Sequence, residues 1–195
     1  MMELTKPSQI TEDDVLKLDS DARIEVINGE MVEMTPVGGL HHFIAGNFYR
    51  RLDAFVLANK LGYVFMDGLI YLMFKKSKGL RGALVPDVSF ISKAAIPANW
   101  QIHLPFPGAP TLAIEVMSPG DDAEKMLAKV RIYLNAGAEQ VWVVYPEQKE
   151  LHQYSRSSPE TVRVYTSTET FTVESLFPGL TISMQDVFTV PNLTA

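Results

Sequence analysis

Leu112-Ala113-Ile114-Glu115-Val116-Met117 is an apolar run broken by one acid. A short run of this kind reads as a buried strand, so the chain must fold around a sheet with both faces covered. Strand alternation puts Glu115 on the face opposite Ile114 and Val116, beside Ala113 and Met117. A carboxylate there is costly unless it is paired or binds a metal. Two readings follow: a strand-end acid that reaches solvent or pairs with Arg or Lys, or a carboxylate kept for chemistry.

The flanking pattern gives the rest of the frame. Thr11 is placed to cap a short helix over Glu12 to Leu18. Arg23 to Ile27 and Met31 to Thr35 flank Asn28-Gly29, a strong hairpin signal. Leu40 to Asn59 reads as a helix with Leu40, Phe43, Ile44, Phe48, Leu52 and Phe55 on one face. Tyr63 to Met66 and Leu69 to Phe74 read as strands around Asp67-Gly68, followed by a basic turn with Lys75, Lys76, Lys78 and Arg81. Val85 to Ile91 reads as one strand, and the proline-rich stretch from Ser92 to Pro110 as a long loop. After Glu115, a turn leads into a second helix with a stripe of Ala123, Met126, Leu127, Val130, Tyr133 and Leu134, stopped by Gly137. Gln140 to Tyr145 is a further buried strand, and shorter strands near Leu151, Val162 and Phe171 fill the tail before a last element near Met184 to Phe188. Helices and strands in this order predict an α/β (α+β) domain, with a mixed central sheet flanked by helices and β segments added at both ends. One domain over residues 1–195 is expected, its core over about 38–146.

Composition narrows the function classes. The chain has no cysteine, which excludes disulfides and thiolate metal sites, so a metal would need oxygen or imidazole ligands. No apolar run approaches the roughly 20 residues of a membrane helix. The acidic, polar N-terminal stretch lacks the apolar core of a signal peptide. A cytoplasmic protein with no membrane partner is expected. The net charge of −6 counts against general binding to nucleic acid and leaves room for a local basic cleft.

Asp87 follows Pro86 and precedes Val88-Ser89-Phe90-Ile91. Alone it reads as a turn residue, but on a strand beside that of Glu115 it would give two hard oxygen donors suited to magnesium. Lys129 stands three residues after Met126 and four before Tyr133, at the border of the helix stripe. It reads either as a snorkelling surface lysine or as a cation reaching back to the carboxylates. His41 lies in the apolar arc of the first long helix, as a core histidine or as one aimed at the acids, whereas His42 faces solvent. Glu25 alternates with Ile24 and Val26 and faces solvent unless something covers that face of the hairpin.

These residues together resemble the Uma family of restriction-endonuclease-like proteins, within the PD-(D/E)XK nuclease superfamily. Arg23-Ile24-Glu25-Val26-Ile27-Asn28-Gly29-Glu30 is similar to the family's opening hairpin, and Val85-Pro86-Asp87-Val88 to its P-D-V strand. Pro110 to Pro119 is close to its P-x-L-x-I-E-V-x-S-P motif, and Lys129, Tyr133 and Gly137 fit its K-x-x-x-Y-x-x-x-G helix. The resemblance runs along most of the chain. It implies a mixed four- or five-stranded sheet and metal-dependent phosphodiester hydrolysis. The site it implies has Asp87, Glu115 and the Val116 carbonyl as ligands of Mg²⁺ or Mn²⁺, Lys129 beside the attacking water, and Glu25 and His41 as further site residues. Nucleic acid, DNA first, is the expected partner, and a homodimer the expected assembly. Met117 stands where the superfamily usually has its lysine, Lys129 taking that part from the next helix. Tyr145 stands where many relatives have aspartate. Two rivals remain: a catalytically inactive nuclease-fold protein acting as a nucleic-acid-binding or regulatory dimer, and a structural dimerisation module.

Overall fold

The computed structural model describes residues 10–17, 23–75 and 79–192. Helix α1 (Glu12–Leu16) begins at Thr11, whose hydroxyl and main chain form a capping box with Asp14; such a cap contributes about 1 kcal/mol. Strands β1 (Ile24–Ile27) and β2 (Glu30–Glu33) form the expected hairpin. Its turn needs Asn28 at φ 55° and Gly29 at φ 86°, left-handed values that asparagine and glycine tolerate. Next come α2 (Gly39–Ala58), β3 (Gly62–Met66), β4 (Tyr71–Lys75), β5 (Gly79–Leu84), β6 (Val88–Ser92) and β7 (Phe106–Pro107). They are followed by β8 (Leu112–Val116), α3 (Ala123–Ala136), β9 (Gln140–Tyr145) and β10 (Glu150–Ser155). The chain continues through β11 (Val162–Thr166), β12 (Thr170–Thr172), β13 (Thr181–Ser183) and α4 (Met184–Val187).

The mixed α/β class is as expected, but the strands divide between two main sheets. One has the order β11-β10-β9-β8-β6-β3 and is antiparallel except for β8 with β9. The other has the order β2-β1-β5-β4-β7. The N-terminal hairpin is therefore part of the second sheet, and β10 and β11 extend the first.

Two sequence readings are corrected here. Val85 to Ile91 is not one strand: β5 ends at Leu84 in the five-stranded sheet and β6 starts at Val88 in the six-stranded one. Pro86, which has no N–H to give to a ladder, stands in the crossing. Strand β5 itself was hidden in the basic turn, because Gly79 and Gly82 dilute its pattern. The long loop after β6 is also less bare than expected, with a 3-10 turn at Lys93–Ala95 and β7 paired to β4.

Helix α2 covers one face of the six-stranded sheet, setting Ile44, Phe48, Leu52 and Val56 against Ile114, Val116, Trp142 and Val144. Burying a side chain such as Phe48 stabilises by about 2–3 kcal/mol. Helix α3 lies between the two sheets. Its Met126, Val130, Ile132 and Tyr133 share one core with Ile27, Tyr71 and Met73 on one side and Ala113, Val141 and Val143 on the other. Leu127, read as part of the buried stripe, is instead exposed. Asp122 caps α3 at its start, and Gly137 ends it at φ 117°. Among the described residues no helix is long and apolar enough to cross a membrane.

Candidate active site

Because α3 is covered on two sides, polar side chains on either sheet that face it are buried together. Glu115, only 3% exposed, points from β8 towards α3. Lys129 and Tyr133 stand one helical turn apart and both meet it. Lys129 Nζ donates to Glu115 Oε2 at 2.7 Å, and the Tyr133 hydroxyl donates to Oε1 at 2.8 Å. Lys129 is 8% exposed, so it is neither snorkelling nor on the surface.

Glu25 meets the exception that its pattern leaves open. Alternation within the hairpin turned it to solvent, but α3 covers that face and Glu25 is buried. Its Oε1 accepts from the Val85 N–H at 2.9 Å and lies 3.1 Å from Lys129 Nζ.

Strands β6 and β8 pair antiparallel with Val88 opposite Ile114, so Asp87, just before β6, arrives beside Glu115. Its Oδ2 accepts from the Val116 N–H at 2.6 Å and lies 3.1 Å from His41 Nε2. His41 does point from α2 towards the acids, and His42 is exposed, as read from the sequence. Among the described residues Asp87 Oδ1 accepts no protein hydrogen bond, and the buried Nδ1 of His41 has no partner.

The charges act on one another. The Glu115 carboxyl is held up at about 8: burial is the largest cause, Glu25 and Asp87 add to the rise, and Lys129 opposes it. Burial also opposes the charge on Lys129, but Glu115 and Glu25 outweigh it and hold its pKa above the usual lysine range. For His41 burial is likewise the largest influence, and Asp87, Asp121 and the Val116 main chain together overcome it and raise the pKa.

Glu25, His41, Asp87, Glu115, Val116 and Lys129 thus line one cleft of about 140 Å³. Of the basic turn, Arg81 does not line this cleft. Arg81 lies in β5, 3.4 Å from Asn28 Oδ1, and lines a separate hollow with Ile132 and Asn135. Lys76 and Lys78 fall outside the described residues. Sequence reading places Tyr133 in the apolar stripe and in the K-x-x-x-Y pattern but not among the site residues; its spacing of four from Lys129 is the signal for a second group on the same acid.

No group of three or more His, Cys, Asp or Glu residues set to hold a metal occurs among the described residues. The donors present are two carboxylates and the Val116 carbonyl. That set could suit a hard ion that keeps several waters, such as Mg²⁺, and does not suit Zn²⁺, which prefers nitrogen and sulfur.

Two mixed sheets with helices packed on them, around a carboxylate-lined cleft, define a mixed α/β fold. A crystal structure titled as a "putative nuclease" from Anabaena variabilis has the same fold, with a TM-score of 0.79 and 24% identity over 92% of this chain and 97% of that one. The model of the Uma2 family, described as "Putative restriction endonuclease", matches residues 12–185, and the chain belongs to that family. No curated protein matches it significantly.

Proposed function

We propose that the protein is a metal-dependent endonuclease that hydrolyses phosphodiester bonds of nucleic acid, with DNA as the expected substrate. The observation that carries this reading is the convergence of Asp87, Glu115 and Lys129 in one cleft, from a loop, a strand and a helix. Asp87, Glu115 and the Val116 carbonyl would hold Mg²⁺ or Mn²⁺. Such an ion lowers the pKa of a bound water and stabilises charge on a phosphoryl oxygen.

The chain's own groups divide the remaining work. Lys129 has three N–H donors. One donates to Glu115 Oε2 and the charge pairs with Glu25, leaving a donor to orient a water or meet a phosphoryl oxygen. Glu25 acts through Lys129, fixing its position between the sheets. His41 and the Val116 N–H hold Asp87 Oδ2, which leaves Oδ1 free to face a ligand. Tyr133 fixes the rotamer of Glu115 from below. A homodimer is part of the proposal: β11, an edge strand among the described residues, presents Val162 and Val164, 42% and 46% exposed.

A second reading keeps the fold without catalysis, as a nucleic-acid-binding or regulatory protein. It is favoured by the protein hydrogen bonds on both oxygens of Glu115 and by the net charge of −6. Calorimetry with Mg²⁺ and Mn²⁺ separates the two, since the second requires no metal at Asp87. The test of the first is cleavage of plasmid, single-stranded DNA and RNA across a panel of divalent metals. Glu115→Gln should abolish cleavage while the protein stays folded, and retained cleavage by that purified variant would overturn the assignment.

A further inference from the structure

Beyond His41, the small polar cleft adjoins a larger hollow of about 420 Å³. Gly38 and Gly39 at the start of α2, Met117 and Pro119 after β8, and Tyr145 and Pro146 at the end of β9 form its walls, which are mostly apolar. His41 lines both spaces, so an occupant of the hollow sits next to Asp87. We propose that this hollow takes one unpaired nucleobase of the strand whose phosphate lies at Asp87 and Glu115, so that the substrate is single-stranded or locally unpaired. This rests on the nuclease reading of the adjoining site.

The chemistry of the walls selects the occupant. A sugar-phosphate backbone is polar and charged and gains nothing from apolar walls; the flat face of a base does. The volume lies in the range of small-molecule pockets. The Tyr145 ring is fixed by packing on His152, with centroids 4.5 Å apart, and forms a firm wall. A Cβ placed on Gly38 or Gly39 would meet nothing within 4 Å, so that wall is open.

Charge points the same way. Around the catalytic cleft stand Lys125 and Lys129 against Glu25, Glu33, Asp87, Glu115, Asp121 and Asp122. Lys129 is already held inside the protein by two of those acids. Proteins that grip duplexes depend on many cationic contacts to phosphate. An acidic cleft must draw its binding energy elsewhere, and base stacking supplies it only when the base is out of its pair.

The test compares three dodecamers by fluorescence anisotropy with Ca²⁺ as the only divalent ion: oligothymidylate, an abasic strand of equal charge, and a duplex. The wild type should bind oligothymidylate about 5- to 100-fold more tightly than the abasic strand, and the duplex no more tightly than the abasic strand. An oligouridylate arm separates RNA from DNA. Gly39→Phe fills the hollow without touching the cleft and should erase the preference for bases; Tyr145→Ala, which removes a wall, should reduce it. Equal binding of oligothymidylate and the abasic strand, a preference unchanged in both variants, tighter binding of the duplex, or no binding of any strand overturns the proposal. Base-dependent binding without cleavage under any metal would keep the pocket and remove the nuclease reading. Cleavage of duplex without base-dependent binding would do the reverse.

Discussion

Lys129 Nζ lies 2.7 Å from Glu115 Oε2 and 3.1 Å from Glu25 Oε1, a single buried cation bridging acids from two different sheets. Removing it leaves the two carboxylates facing each other away from water. Lys129→Met keeps an unbranched side chain one atom shorter and deletes the charge. It should cost about 3 kcal/mol in urea unfolding, because an uncompensated buried charge is expensive. Cleavage should fall by about 100-fold or more. Adding Glu25→Gln should recover much of the stability without restoring cleavage. Recovery of both in the double variant would show that Lys129 only neutralises Glu25.

Tyr133 donates to Glu115 Oε1 at 2.8 Å and is fully buried. Tyr133→Phe changes almost no volume and leaves that oxygen without its donor. Hydrogen bonds to charged groups are worth about 1.5–3 kcal/mol, and a loss in that range is expected when Glu115 is ionised. Metal affinity should fall by about 10-fold, as for other partners that orient a ligand. Calorimetric titration with Mn²⁺ checks this directly; a purely structural tyrosine would lower the melting temperature and leave the affinity unchanged.

The Glu115 carboxyl, pushed up to about 8 by burial and by its acidic neighbours, has an ordinary value of 4.5. The folded state therefore binds a proton more tightly than the unfolded chain. Its contribution to stability is full below about pH 4.5 and is lost as pH rises to about 8. His41, also raised, acts in the same direction above its ordinary 6.5. The melting temperature should thus decline between about pH 5 and 8, and Glu115→Gln should remove the carboxyl share of that decline. A divalent metal competes with the same proton, so its affinity should climb towards about pH 8 and level off. Calorimetry in buffers of different ionisation enthalpy should detect proton release at pH 7 and almost none at pH 9.

Glu115 could be picked out from the sequence because one acid in five apolar neighbours has few bland explanations. Periodicity brought Lys129 and His41 to the edge of the buried faces of their helices but left open what they meet, because it gives the direction of a side chain and not its partner. Glu25 could be placed only conditionally: alternation tells which residues share a face, not whether a distant helix covers it. That cover comes from α3, about a hundred residues later in the chain. The break at Pro86-Asp87 was similarly hidden, since Val85 and Val88 look alike although they lie on either side of a crossing between sheets. The two-sheet arrangement depends on these long-range pairings, and local pattern carries no record of them.

Gly82 sets how closely α3 approaches the five-stranded sheet. A Cβ there would lie 2.6 Å from Ile132 Cγ2 and 3.3 Å from Met73 Cε. The Ile132 methyl is not a free end, because a β-branched side chain in a helix has one strongly preferred rotamer. Gly82→Val must therefore push α3 away from the five-stranded sheet and towards the six-stranded one. Overpacking of this kind should cost about 1–3 kcal/mol. Because Lys129 is one turn before Ile132, the same shift should draw its Nζ away from Glu25 and crowd it against Glu115 on the opposite sheet, and lower cleavage by about 10-fold, although Gly82 touches no site residue. Adding Ile132→Ala opens the space again and should restore cleavage even where stability stays low. Measuring cleavage per folded molecule in both variants checks this: unchanged cleavage in Gly82→Val would mean that Lys129 is positioned by its carboxylates alone.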